Sequence, residues 1–132
     1  MTTCREAAAD AHTLFWSVED PSQLSAAAIN TMQGPANQRL LSAATIWERA
    51  IKAGQGKIIL AMPYRQWMET AIADLKLEIL PVTVEYAERQ SVLPPHHKDP
   101  FDRLMIAQAL VDGIGVVGVD TTFDAYGVTR IW

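Results

Sequence analysis

Four acidic residues that lie far apart in this 132-residue chain stand beside predicted strands or helix starts: Asp10, Glu48, Asp102 and Asp120. Carboxylates that gather in one place repel one another and raise one another's pKa unless a cation lies between them. The hard cations Mg²⁺ and Mn²⁺ prefer such oxygen ligands and keep part of their own water. Because a metal-bound water can attack a phosphodiester in line, these acids would suit metal-dependent phosphodiester hydrolysis.

The elements that must position these acids alternate between short apolar runs and helical periods. Strands are predicted at 4–10, 39–43, 77–82, 114–120 and 128–132, and helices at 12–18, 20–34, 44–54, 63–75, 83–93 and 99–113. Strands separated by helices form right-handed crossovers in a mostly parallel sheet. We therefore predict an α/β fold, a single three-layer α/β/α domain over 1–132 with a mostly parallel four- or five-stranded sheet.

The predicted topology places all four acids at one edge of the sheet. Sites in such folds form beyond the carboxyl ends of the strands. Asp10 and Asp120 directly follow strands, Glu48 lies in the second turn of the helix after RLLSA, and Asp102 begins the helix that leads back to the Asp120 strand. Asp102 also shares a helix face with apolar residues three, four and seven positions later, so it points toward the sheet. Inward carboxylates are unusual unless they are paired or bind a metal.

Three of the four acids, and Asp99 beside them, also have a simpler structural explanation, and the sequence leaves both explanations open. Asp99 is expected to N-cap the helix at 99–113, and Asp102 suits the positive end of that helix. Asp120 can begin a turn, and Glu48 can pair with Lys52 one helical turn later. The coincidence of four acids at one predicted rim favours the metal site.

Other residue classes offer less chemistry. His96 and His97 lie in a proline-flanked loop, where we expect surface or packing roles rather than metal ligation. No third His or Cys stands at the spacing of a zinc site, and no glycine-rich nucleotide-binding motif occurs. The helix at 20–34 is predicted to begin with Asp20 as its N-cap and to stop at Gly34.

Composition sets broad limits on the setting and the partners. The net charge is −4, from 11 basic and 15 acidic residues, so a broad basic face for nucleic acid is not expected. A metal-bearing acidic site can still meet phosphate. The chain has one cysteine, Cys4, and shows no secretory signal and no apolar run long enough for a bilayer. A reducing, cytoplasmic location without a membrane is therefore expected.

Several segments together resemble the PIN domain family, in its VapC-type toxin branch. They are DAHTLFW (10–16), SAATIWERAIKAGQGKI (42–58), LPPHHKDPFDRLMIAQAL (93–110) and VGVDTTFDAYGV (117–128). The resemblance covers nearly the whole chain in order, and HHKDPFDRLMIAQA is its most specific part. It implies a Mg²⁺- or Mn²⁺-dependent ribonuclease toxin of a type II toxin–antitoxin system. An antitoxin protein would hold the toxin inactive, and a homodimer is expected because homodimers are common in the family.

The resemblance also assigns roles to particular residues. The acidic metal site of the family falls on the four acids Asp10, Glu48, Asp102 and Asp120, with Asp99 and Asp124 as supporting acids. Separately from the resemblance, three cationic residues near the predicted rim are candidates for contact with phosphates that flank the cleaved bond: Arg103, Lys52 and Lys98. Plain solubility is the alternative for each of them and is favoured for Lys98. An apolar groove that carries Trp16 or Trp47 is expected to accept an amphipathic segment of the antitoxin.

Three positions depart from the family pattern. The first strand is CREAAAD where the family has Leu, Val and Ile, Ala11 stands where Thr is frequent, and Gly118 stands where Thr or Ser commonly precedes the last acid. A catalytically impaired PIN-like protein that only binds its partner is therefore an alternative. A thin first strand would also make the fold depend on that partner. A receiver-like signalling domain is the rival class, but DAH and VTRIW lack the acidic pair and the lysine that it would need.

Overall fold

Five parallel strands form one sheet in the computed structural model, which describes residues 6–34 and 37–132. They are β1 (Glu6–Ala9), β2 (Gln38–Ser42), β3 (Leu77–Leu80), β4 (Gly115–Val117) and β5 (Arg130–Ile131). The strand order is β3-β2-β1-β4-β5, and every neighbouring pair is parallel. The prediction of a mostly parallel four- or five-stranded α/β sheet is therefore confirmed.

Helices cover both faces of this sheet. They are α1 (Ala11–Glu19), α2 (Ala26–Gln33), α3 (Ala43–Gly54), α4 (Tyr64–Asp74), α5 (Val84–Ser91) and α6 (Pro100–Asp112), and 3₁₀ turns lie at Pro21–Gln23 and Thr121–Tyr126. Successive residues of a strand face opposite sides. Ala7 and Ala9 accordingly share a core cluster with Trp67 of α4, whereas Ala8 shares another with Ile106 of α6. Of the helices in the described ranges, none combines the length and apolar character needed to cross a membrane.

The central strand β1 is built from alanines. Ala7, Ala8 and Ala9 are each 2% exposed or less, because β1 lies between β2 and β4 and under helices on both faces. Large buried side chains such as Trp67 and Ile106 belong to the same core clusters as these alanines. Residues 4 and 5 of the predicted strand, and with them Cys4, lie outside the described residues. The dependence of the fold on a partner stays a prediction.

One predicted helix begins in the wrong place. Instead of a continuous helix over 20–34, the chain makes a 3₁₀ turn at Pro21–Gln23 and then starts α2 after Ser25. The Asp20 side chain accepts hydrogen bonds from the Ser22 and Gln23 side chains, so it caps no helical N–H. The Ser25 hydroxyl oxygen accepts from the Ala28 N–H at 3.1 Å and is the true N-cap. The remaining elements differ from the predictions only at their ends.

Candidate active site

The predicted acids converge on one cavity of about 450 Å³ at the carboxyl edge of the sheet. Its walls include Asp10, Glu48, Asp102 and Asp120, and also Asp99. The adjacent parallel strands β1 and β4 deliver two of these acids to the same edge. Helix α3 starts at the end of β2. Helix α6 ends where the chain enters β4, so α6 begins at the opposite edge, which is the carboxyl edge of the sheet. The topology therefore brings together acids that are distant in sequence.

Asp10 is both an acid of the cavity and the N-cap of α1. Its backbone N–H donates to Val117 O at 3.0 Å, and its Oδ1 accepts from the Thr13 N–H at 2.8 Å. The Thr13 hydroxyl donates to Val117 O at 2.8 Å, which ties α1 to β4. Burial raises the pKa of Asp10, and the charge of Asp120 adds to this effect. Hydrogen bonds from Thr13 and the charge of His12 lower the pKa but do not cancel the effect of burial.

Gly118 makes room for the Asp10 carboxylate. A Cβ at position 118 would lie 2.4 Å from Asp10 Oδ2 and 2.9 Å from its Cγ, which is closer than atoms can approach. The Asp10 carboxylate thus occupies the space where a side chain at position 118 would begin. The departure from Thr or Ser at this position has a physical reason in this chain.

Glu48 lies in the second turn of α3 and is 5% exposed. Its Oε1 is 3.4 Å from Arg49 Nη2, and its Oε2 is 3.7 Å from Lys52 Nζ. The expected pairing with Lys52 and the expected place at the rim therefore both occur. Arg49 is equally buried, and its Nε has no hydrogen-bond partner among the described residues.

Asp102 lies in the first turn of α6, where Asp99 caps the helix. Asp99 Oδ1 accepts from the N–H groups of Phe101 at 2.8 Å and Asp102 at 3.0 Å, which confirms the predicted cap. Burial raises the pKa of Asp102 to about 7, and the charge of Asp99 is the next cause. The charges of Glu48 and Asp10 raise it further. The charges of the other carboxylates in the cavity therefore contribute to the raised pKa of Asp102.

Asp120 begins the 3₁₀ turn at Thr121–Tyr126, as expected of an acid that starts a turn. Its Oδ1 accepts from the Thr122 N–H at 2.9 Å. Burial by itself would raise the pKa of Asp120, but hydrogen bonds from Thr122 and His97 outweigh burial and lower the pKa. Of the two acids Asp102 and Asp120, Asp120 is thus the more readily ionised.

His97 lies between these two acids. Its Nε2 is 3.0 Å from Asp120 Oδ2 and 3.2 Å from Asp102 Oδ2. Within the described residues, these three side chains form a group whose ligand-type atoms all lie within 4.8 Å of one another. The expected surface or packing role fits His96, whose ring packs against Tyr126, whereas His97 contacts two acids of the cavity. The sequence alone shows only that both histidines lie in a loop. It does not show the contact between His97 and Asp120, because these residues are 23 positions apart.

Asp124 lies outside the acidic cavity, and its role as a supporting acid stays a prediction. Its carboxylate forms a bidentate pair with Arg130, at 2.9 Å from Nε and 3.3 Å from Nη2. It is absent from the walls of the acidic cavity. Arg130 also donates to Gly118 O at 3.1 Å, so this pair fastens the final turn to the end of β4.

Arg103 holds the loop that precedes α6. Its Nη1 donates to Pro94 O at 2.9 Å and His97 O at 3.3 Å, while its Nη2 donates to Leu93 O at 3.1 Å and Gln90 O at 3.2 Å. Both terminal nitrogens are thus engaged within the chain, and the contact with a phosphate stays a prediction. Arg103 instead positions the loop that carries His97.

The donor set fits a hard divalent cation. Carboxylate oxygens of Asp102 and Asp120 lie within 4.8 Å of each other, and Asp10 and Glu48 line the same cavity. Burial is the main cause of the raised pKa of Asp102, and the negative charges of Asp99, Glu48 and Asp10 raise it further. A cation among the acids would relieve this repulsion. Oxygen donors of this kind suit Mg²⁺ and Mn²⁺.

The tryptophans divide between core and surface. Trp67 is 1% exposed, while Trp47 is 64% exposed and meets the edge of the Phe101 ring at 5.5 Å. Trp16 lines the acidic cavity and also a second cavity of about 240 Å³ beside it. The walls of this second cavity are His12, Phe15, Trp16, Arg49, Ile58 and Ile59. An apolar groove therefore adjoins the acids.

Comparison with known proteins identifies the family. The family model for the PIN domain matches residues 8–128. A chain in the crystal structure of VapBC2 from Rickettsia felis bound to a DNA fragment from their promoter superposes with a TM-score of 0.69, at 13% identity over 95% of this chain and 96% of that chain. A chain in a toxin–antitoxin complex from Klebsiella pneumoniae gives 0.59, at 20% identity over 87% of each chain.

A chain in the crystal structure of FitAcB from Neisseria gonorrhoeae superposes with a TM-score of 0.58, at 17% identity over 94% of this chain and 95% of that chain. At such identities the structural likeness establishes the shared fold. The search of curated proteins finds no match. The family model spans nearly all of the sequence and includes all four acids of the cavity. The chain therefore belongs to the PIN domain family.

Proposed function

We propose that this chain is an endoribonuclease toxin that hydrolyses RNA phosphodiester bonds with Mg²⁺ or Mn²⁺ and is neutralised by a cognate antitoxin. The observation that carries the proposal is the cavity in which Asp10, Glu48, Asp102 and Asp120 meet. Membership of the PIN domain family and a fold shared with chains from toxin–antitoxin complexes support it.

In this proposal Asp102 and Asp120 hold the cation, and Asp10 and Glu48 complete the acidic wall around it. When bound, the cation lowers the pKa of a water and stabilises negative charge at the phosphate. Asp10 is kept in place by its bond to the Thr13 N–H, and Asp120 by its bond to the Thr122 N–H. These fixed carboxylates orient the site before the substrate arrives.

Cationic side chains at the cavity wall favour the binding of an anionic substrate. Lys52 has a side chain that is 36% exposed, and its Nζ lies 3.7 Å from Glu48 Oε2. It therefore stands at the rim, where it can turn from Glu48 to a phosphate that flanks the cleaved bond. Arg49 lies deeper and offsets part of the acidic charge.

The groove beside the acids suits the antitoxin. The side chain of Ile59 is 88% exposed, and it lines this groove together with Phe15 and Trp16. An amphipathic segment laid along it would bury this apolar surface and reach the acidic cavity, since Trp16 and His12 line both. The homodimer, the single domain over 1–132 and the cytoplasmic location complete the proposal.

A catalytically impaired protein that acts only by binding its partner is the second candidate. Two contacts favour this candidate. Asp10 is engaged in a helix cap, and Glu48 is paired with the side chains of Arg49 and Lys52. The receiver-like alternative is set aside, because the family match is to the PIN domain.

The test is cleavage of a mixed RNA pool, with Mg²⁺ or Mn²⁺ and with a chelator, by the wild type and by Asp10→Asn and Asp102→Asn. Asp74→Asn, which alters an exposed acid at the end of α4, is the matched control. We expect cleavage by the wild type and the control only with metal, and a large loss in both cavity variants. Equal activity of all four proteins contradicts the proposal. A wild type that binds the antitoxin but cleaves nothing favours the second candidate.

A further inference from the structure

We propose that His97 is a positioning residue that donates one hydrogen from Nε2 to Asp102 and Asp120 and so holds the two acids at the spacing of a metal site. The inference rests on the proposed function and adds a residue that the acidic motif does not contain. Its starting observation is the pair of distances from Nε2 to the Oδ2 atoms, 3.0 Å for Asp120 and 3.2 Å for Asp102.

The hydrogen bond at the other ring nitrogen, Nδ1, decides which nitrogen of His97 carries the hydrogen. The backbone N–H of Asp99 donates to His97 Nδ1 at 3.1 Å, so Nδ1 presents its lone pair and bears no hydrogen. A neutral imidazole has one donor and one acceptor nitrogen. Nε2 therefore bears the hydrogen and is the donor that faces the two carboxylates. The helix cap residue thus fixes the tautomer of His97 through its main chain.

This tautomer makes His97 unsuitable as a metal ligand. A neutral histidine binds a cation through a nitrogen lone pair, and Nε2, the nitrogen that faces the acids, has none to offer in this state. Geometric closeness to two carboxylates alone suggests a three-ligand site. The hydrogen bond from Asp99 instead favours a donor that supports the ligands, since a carboxylate oxygen can accept a hydrogen bond and still bind a cation.

The surroundings keep the His97 ring in this orientation. The His97 N–H donates to the Tyr126 hydroxyl oxygen at 2.8 Å, and the His97 carbonyl accepts from Arg103 at 3.3 Å. The ring meets the Phe123 ring edge to face at 5.8 Å. Arg103 and Tyr126 both also bond to Pro94 O, so the whole loop is fastened to α6 and to the last turn. A fixed donor can hold two like charges together only if the donor itself does not move.

Two substitutions test the roles of the two ring nitrogens separately. His97→Gln places an amide N–H₂ near the position of Nε2, so it keeps the donor to the acids. His97→Asn places its polar atoms near Nδ1, so it keeps the partner of the Asp99 N–H but cannot reach the acids. His96→Ala is the matched control, because His96 packs on Tyr126 outside the cavity. The readout of this experiment is Mg²⁺ affinity measured by calorimetry, which does not depend on RNA cleavage.

We expect His97→Asn to weaken Mg²⁺ binding about 10-fold, the low end of the effect for residues that support metal ligands. His97→Gln is expected to stay close to the wild type, and His96→Ala to match it. Equal affinity of the Asn and Gln variants overturns the proposal, because the donor at Nε2 would then be irrelevant.

Nitrogen NMR of the histidine rings in the wild type gives a second readout that needs no variant to fold. We expect His97 to carry its hydrogen on Nε2 both without and with Mg²⁺. A hydrogen on Nδ1, or a change to it on adding Mg²⁺, identifies His97 as a ligand and overturns the proposal. If the wild type binds no Mg²⁺, the proposed function fails, while the tautomer of the metal-free chain still decides the role of His97.

Discussion

Asp10 and Gly118 meet where β1 and β4 end side by side, and the Asp10 carboxylate leaves no room for a side chain at position 118. The Asp10 carboxylate turns toward the backbone of β4 because its Oδ1 caps α1 through Thr13. Its Oδ2 then lies where a Cβ at position 118 would stand, 2.4 Å away. A residue without a side chain is therefore a structural requirement of this arrangement of the acid.

Gly118→Ala should destabilise the fold by about 1 to 3 kcal/mol, because Asp10 must leave its cap or the strand ends must move apart. Mg²⁺ affinity should fall as well. Urea unfolding and calorimetry measure the two effects. Gly54→Ala is the matched control, since a Cβ there meets nothing within 4 Å and alanine favours the helix. A Gly118→Ala protein as stable as the wild type would show that Asp10 does not occupy this place.

The raised pKa of Asp102 gives the metal-free chain a characteristic dependence on pH. The pKa rises from 3.8 to about 7 on folding, so between these values the folded chain binds more protons than the unfolded chain. The free energy of unfolding must therefore decrease as pH rises through this window. In Asp102→Asn this contribution is absent.

We expect Asp102→Asn to gain stability relative to the wild type as pH rises from about 4 to about 7 in chelator, measured by urea unfolding. Asp120→Asn is the control. The pKa of Asp120 is lowered, so its contribution is complete above 3.8 and is lost only at more acid pH. Parallel profiles for the wild type and Asp102→Asn would contradict the raised pKa.

At the scale of elements, the start of α6 organises the site. Asp99 caps the helix with its side chain, orients His97 with its main chain, and lies close enough for its charge to raise the pKa of Asp102. Pro100 fixes the backbone at the first helical position, where no N–H is needed. The helix start therefore sets the geometry of two groups of the site.

Asp99→Ala should lower the free energy of unfolding by about 1 kcal/mol, because the N–H groups of Phe101 and Asp102 lose their acceptor. Asp99→Ser should keep most of the stability, since a hydroxyl oxygen can accept the same bonds. Urea unfolding gives the energies, and hydrogen exchange in the first turn of α6 locates the change. Equal stability of the Ala and Ser variants would mean that the cap contributes little.

At the scale of the whole molecule, the acidic cavity joins three regions of the chain. β1 and α1 supply Asp10, α3 supplies Glu48, and the segment from α6 to the last turn supplies Asp102 and Asp120. A cation that binds them in the folded state has no such site in the unfolded chain. Binding free energy therefore adds directly to the stability of the fold.

Mg²⁺ or Mn²⁺ at about 100 times its Kd should add about 2.7 kcal/mol to the unfolding free energy and raise Tm by several degrees. Asp102→Asn should show little of this gain, although it starts more stable than the wild type in chelator near neutral pH. Thermal unfolding with and without metal measures both effects. An unchanged Tm of the wild type with either metal would argue against a metal site in the cavity.

The sequence by itself determined the architecture and the edge at which the acids meet. Alternating strands and helices predicted the parallel sheet, and the cap residue Asp99 predicted the start of α6, which the structure confirms. These features depend on periodicity and on hydrogen bonds between near neighbours, which a local stretch of sequence contains. The start of α2 was predicted wrongly, because Asp20 and Ser25 are both good caps locally.

Only the tertiary structure decided what the side chains at that edge do. His97 faces Asp120 across 23 positions, Arg103 bonds to loop carbonyls, Asp124 pairs with Arg130, and Asp10 lies against Gly118. Each of these contacts depends on the direction of a side chain and on the path of a distant segment. The free energies of such contacts are set by packing, which fixes the direction of the side chains only after the strands and helices have come together.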